Sequence, residues 1–210
     1  SKNATYQTYL EHFRRATEEL QSGDIFYFFA SCHGTYNDER NERRTALCLY
    51  DNIVWDSETK NLLTQFKKGV LVIWMTDCCH SRDNFKTLKR HIIPSQNNIK
   101  FLDFSNIKQS VSDPEETKNL DFKCNIIAYS SSTEQQVSYD LASLVDNRPM
   151  GLYTAAFEKL FLDPKNKNLS YYQTYKKLFE IMSKQGYPQT PKLQTVNGYK
   201  EKITHRQFLS

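Results

Sequence analysis

The sequence predicts an α/β fold with a mostly parallel central sheet covered by helices, and three observations carry that prediction. Ile25–Ala30, Val70–Thr76 and Cys124–Tyr129 are short, nearly continuous apolar runs, as strands buried on both faces of a parallel sheet must be. Segments of helical periodicity flank them, and a helical segment between two buried strands is the mark of a βαβ unit. Polar residues with chemical potential, Ser31-Cys32-His33-Gly34 and Asp77-Cys78-Cys79-His80-Ser81, directly follow the first two runs. Ligands of open α/β sheets bind at that end, beyond the carboxyl ends of the strands.

In chain order, Ala4 to Gln21 reads as an amphipathic helix, with Tyr6, Tyr9, Leu10, Phe13, Ala16 and Leu20 on one face. Ser22-Gly23-Asp24 ends it before the first strand. A polar stretch, Thr35 to Arg44, leads to a strand-like piece over Ala46–Tyr50. Ser57 to Lys68 forms a second helix with Leu62, Leu63 and Phe66 on its apolar stripe, and the second strand follows. Arg82 to Lys123 carries scattered charges and little periodicity beyond Ile99–Phe104; a loop so long inside a compact domain is usually functional or disordered. After the third strand come a helix over Gly151–Leu162 and another from the N-cap Ser170 to Lys184, stopped by Gly186, Pro188 and Pro191.

Composition excludes several classes. The chain has 210 residues, enough for one domain with its own core. Six Gly and six Pro are too few for a collagen-like or linker-rich chain, and 13% aromatics argue against disorder. The longest apolar runs are about a third of a membrane span, so no membrane partner is expected. The net charge of +4 is spread without a stripe, which argues against nucleic acid. Five cysteines without CxxC spacing do not suggest a disulfide framework or a zinc knuckle. No secretory leader opens the sequence, and a cytoplasmic protein with reduced thiols is the expectation.

A histidine after one strand and a cysteine after the next place a base beside a nucleophile, as thiol acyl transfer requires. Gly34 would let its backbone N–H approach a substrate carbonyl, alongside the N–H of Cys79. His33 precedes Cys79 by 46 residues, near the interval of about 50 that caspases show. Ser31-Cys32-His33-Gly34 resembles the Ser-Gly-His-Gly of the caspase fold. Asp77-Cys78-Cys79-His80-Ser81 is similar to the Asp-Ser-Cys-His-Ser of metacaspases and unlike the Gln-Ala-Cys-Arg-Gly of true caspases. Glu134–Asp140, Gly151–Thr154 and Pro188–Pro191 resemble later family segments, in family order.

The resemblance implies a caspase-like three-layer α/β/α sandwich, a metacaspase-like peptidase over residues 1–210, with Cys79 as nucleophile and His33 as its partner. Cys78 competes for the first role, but the family cysteine stands two after the aspartate. The resemblance also implies protein substrates with Arg or Lys before the scissile bond. Strand alternation agrees, because it sets Asp77 and Cys79 on one side. Asp77, Ser31 and Glu134 are the candidate substrate-binding residues, although Asp77 could instead cap the following helix or turn and Glu134 could be a solvated charge. Residues 1–82 form the catalytic half without the usual first strand, 83–123 a long, cleavable loop, and 124–210 the carboxyl-terminal half. Basic residues from Lys86 to Lys118 make that loop a site for autoprocessing. An upstream sensor or regulatory domain would fit the missing strand, and a cell-death or defence setting would leave the chemistry unchanged. No cofactor or metal is expected: Asp51 falls near a family calcium position, but Arg82 and Lys86 dilute the acids, and adjacent strand residues do not converge on zinc. The competing reading is a catalytically silent caspase-like scaffold or docking module.

Overall fold

The computed structural model describes residues 2–37, 44–78, 120–132, 136–146 and 148–197. Three parallel strands form the centre: β1 (Ile25–Ser31), β5 (Leu71–Asp77) and β6 (Asn125–Ser130). β9 (Lys192–Val196) adds to β6 antiparallel, giving the order β1-β5-β6-β9 among the described residues. The expected mostly parallel sheet is therefore present. A second sheet, β2 (Gly34–Asn37), β3 (Arg44–Cys48) and β4 (Ile53–Trp55), is antiparallel and leads away from the end of β1. The hairpin pair β7 (Asp140–Ala142) and β8 (Pro149–Gly151) precedes the third helix.

Helices cover both faces. α1 (Tyr6–Glu19) packs Tyr9, Phe13 and Ala16 with Val70, Val72 and Ile126, joined by Leu63 of α2 (Asp56–Leu63) and by Phe66. α3 (Leu152–Leu162) and α4 (Tyr171–Ser183) pack Leu152, Tyr153, Ala156, Leu160, Leu178 and Met182 with Leu71, Ile73, Met75, Ile127 and Tyr129. The alternation along β5 thus sends odd positions toward α3 and α4, and even positions toward α1 and α2. Three layers result, as a sheet apolar on both faces demands.

Local chemistry sets the helix ends. Thr5 accepts the Thr8 N–H at 3.2 Å to start α1, and Ser170 accepts the Gln173 N–H at 3.2 Å while the Gln173 side chain returns a bond to Ser170 N at 2.8 Å. That reciprocal pair satisfies donors that a helix start leaves open. α2 stops at Leu63, short of the Lys68 its periodicity suggested. Phe66, 1% exposed, reaches the core from the turn that follows.

Two turns level the central strands. Gly69 holds a left-handed φ of 87°, and a Cβ there would fall 2.1 Å from the Ser22 hydroxyl, so only glycine fits. Gly23 N–H donates to the Gly69 carbonyl at 3.0 Å, and Leu71 N–H to the Asp24 carbonyl at 2.9 Å. Ile25 is thereby paired with Leu71, and six residues later Ser31 is paired with Asp77.

Candidate active site

The register carries two of the expected site residues to one place. Ser31 and Asp77 are neighbours at the carboxyl ends of parallel strands, on the same face. Ser31 is exposed, whereas Asp77 is fully buried.

One Asp77 oxygen, Oδ2, accepts the Thr154 N–H at 3.0 Å and the Thr154 hydroxyl at 2.5 Å. Thr154 stands in the first turn of α3, whose N-cap is Gly151 and has no side chain to close it. The sheet therefore supplies the anion that the helix start favours. A capping role was one reading of Asp77. The helix it meets, however, begins 75 residues downstream rather than next in the chain. Tyr153, fully buried beside it, is held well above the ordinary tyrosine range by burial, then by Tyr27 and the Asp77 charge.

His33 lies two residues beyond Ser31 and its side chain is exposed. Its backbone is fixed: the His33 carbonyl accepts the Cys48 N–H at 2.9 Å as the chain turns into β2. Gly34 opens that strand, buried opposite Leu47. The imidazole is thus presented to solvent from a pinned backbone, directly before the glycine expected to bring an N–H to substrate.

The end of β5 is held from the other side. The Cys78 carbonyl accepts hydrogen bonds from the hydroxyls of Ser138 at 3.0 Å and Ser131 at 3.3 Å, and the two hydroxyl oxygens lie 2.5 Å apart. Gln189 fastens this cluster, donating to the Ser131 carbonyl at 3.0 Å and accepting the Tyr139 N–H at 2.9 Å. Gln136 and Thr190 exchange two more bonds, of 2.8 and 3.2 Å. A buried polar network so fully paired is rigid, and it grips the residue that precedes Cys79. Cys79 and Glu134 lie outside the described residues, as do residues 82–119 of the long loop.

The sequence alone does not assign Ser131, Ser138, Thr154 or Gln189 these positions. A signal did exist: Ser130-Ser131-Ser132 closes a buried strand as polar residues close the other two. Ser138, Thr154 and Gln189 lie within the segments that resemble the family, which assign them no role. Among the described residues, no three His, Cys, Asp or Glu side chains gather as a metal site. No helix there is long and apolar enough to cross a membrane.

A family model of the caspase domain matches residues 1–202. The chain belongs to the caspase-domain family. Its general type is accordingly that of a cysteine peptidase. A crystal structure of a protein from Geobacter sulfurreducens shares the fold of this caspase domain, with a TM-score of 0.73 and 23% identity over 98% of this chain and 78% of that one. No curated protein matches it.

Proposed function

We propose that this caspase domain is an active cysteine endopeptidase of metacaspase type that cleaves after Arg or Lys. The observation that carries the reading is the buried Asp77 carboxylate at the end of β5, level with Ser31 and two residues before Cys79 in the chain. A carboxylate beside the nucleophile attracts a basic side chain and repels an acidic one, because like charges withdrawn from water repel strongly. Glu134 is the second acid of the pocket and Ser31 its polar rim.

In the proposed reaction the Cys79 thiolate attacks the carbonyl carbon of the scissile bond, and the N–H groups of Gly34 and Cys79 hold the oxyanion. His33 delivers its proton to the leaving amine as the bond breaks, leaving an acyl-enzyme. Water then attacks the thioester and releases the acid. Protein chains with exposed basic residues are the substrates. The same preference makes Lys86, Lys89, Arg90, Lys100, Lys108 and Lys118 targets for self-cleavage.

Reaction with a peptidyl-arginine chloromethylketone tests the reading. Labelling that maps to Cys79 and disappears in Cys79→Ala supports the peptidase. A folded wild-type chain that takes no label would instead establish the silent scaffold.

A further inference from the structure

Two of the thiols that the proposed chemistry leaves unused stand one residue before His33 and one residue before Cys79. Cys32 and Cys78 directly follow Ser31 and Asp77, the last paired residues of β1 and β5. Their sulfurs lie 3.0 Å apart, within about one ångström of the ~2.05 Å of a disulfide bond. Neighbouring strands run about 4.8 Å apart, inside the ~4.4–6.8 Å Cα separation that a disulfide spans. Closing the bond therefore requires little backbone movement.

The two thiols differ in access. Cys32 is half-buried, whereas Cys78 is fully buried, its sulfur also 3.8 Å from the Ala30 carbonyl. Burial, then the hydrogen bond and charge of Cys32, push the Cys78 thiol up. Cys48, near Cys32, is likewise pushed up to about 12 by burial and then by Cys32.

We infer that Cys32 and Cys78 are a dithiol modification site that a hydroperoxide oxidises to a disulfide joining the ends of β1 and β5. Cys32 sulfur attacks the peroxide: an S–O bond forms, the O–O bond breaks, and water or an alcohol leaves with the thiol proton. Cys78 sulfur then attacks the Cys32 sulfenic acid. The S–S bond forms, the S–O bond breaks, and hydroxide leaves as water with the Cys78 proton. Two electrons pass from the sulfurs to the peroxide. A dithiol reductant reverses the change by exchange. The bridge fixes together the two segments that lead into His33 and Cys79.

The site does not depend on peptidase activity, so its test uses the full chain carrying Cys79→Ala. The chain is treated with hydrogen peroxide, its remaining thiols are alkylated, and it is digested without reductant for mass spectrometry. The expected product is an intrachain Cys32–Cys78 cross-linked peptide in most molecules. It disappears with dithiothreitol and in both Cys32→Ser and Cys78→Ser, with circular dichroism confirming that each variant is folded. Alkylation of Cys32 to the same extent before and after peroxide would overturn the inference. So would a Cys32 cross-link to Cys48 or to a second chain, or persistence of the product in folded Cys32→Ser.

Discussion

The aromatic face under α1 and the polar ends of β5 and β6 are built from different materials. Phe13 meets the rings of Tyr9, Phe26, Phe28, Phe66 and Trp74 at centroid distances of 4.6 to 6.2 Å, and Phe28 stacks on Trp74 at 4.0 Å. Such contacts are strong in sum and individually weaker and less directional than hydrogen bonds. At the strand ends, Asp77, Cys78, Ser131, Ser138 and Gln189 are held by directed hydrogen bonds. The first region holds the sheet together by close packing. The second holds Cys78, the residue before Cys79. Substitutions in the two regions should therefore separate stability from chemistry.

The largest effect is expected at Phe13. Phe13→Ala should cost about 3–5 kcal/mol of unfolding free energy in urea, while the folded fraction keeps its labelling rate with the chloromethylketone. A loss below about 1 kcal/mol would break the division just drawn.

Asp77 comes next, because it serves both purposes. Asp77→Asn should lower kcat/KM for an arginine peptide about 100-fold, near 2.7 kcal/mol of transition-state stabilisation. Thr154→Val removes the 2.5 Å hydroxyl donor and leaves the charge. It should cost about 1–2 kcal/mol of stability yet keep the preference for arginine over aspartate. Equal loss of preference in both variants would show that Asp77 acts only through the start of α3.

Ser138→Ala should slow Cys79 labelling about tenfold, equivalent to about 1.4 kcal/mol, with a smaller change in melting temperature, because the Cys78 carbonyl loses its 3.0 Å donor. An unchanged rate would mean that the serine cluster is structural only.

The smallest effect is expected at Tyr6, in the first turn of α1. Tyr6 donates to Glu58 at 2.5 Å, and that hydrogen bond, then burial, raise its pKa to about 12. A folded pKa above the unfolded value stabilises below the unfolded pKa of about 10 and is lost as pH rises through the folded one. The stability advantage of wild type over Tyr6→Phe should accordingly shrink between pH 10 and 12 in thermal melts. Labelling of Cys79 at neutral pH should not change.

The sequence exposes the central strands because burial on both faces leaves an apolar run with no alternation to misread. It exposes His33 and Asp77 because polar residues directly after such runs stand out. Register is less legible: it depends on Gly69 meeting Ser22, a contact between distant turns that neither turn announces. β9 is hard to read because Lys192–Val196 is a half-exposed strand following two prolines, outside the apolar pattern that marks the others. β2 and β4 are hard to read for a similar reason, being short and paired only within a small antiparallel sheet. The bond from Thr154 to Asp77 crosses 77 positions, so no local pattern encodes it. The thiol pair is legible as two cysteines but not as neighbours until register is known.

The central claim is that the acid at the end of β5 selects a basic residue for Cys79 to cleave after. Hydrolysis of two peptides differing only in arginine or aspartate before the scissile bond tests it most directly, with Cys79→Ala as the blank. The account predicts turnover of the arginine peptide at least about 100-fold faster in kcat/KM, the ratio equivalent to about 2.7 kcal/mol, and none in the variant. Equal or faster cleavage of the aspartate peptide by the wild-type chain would contradict it.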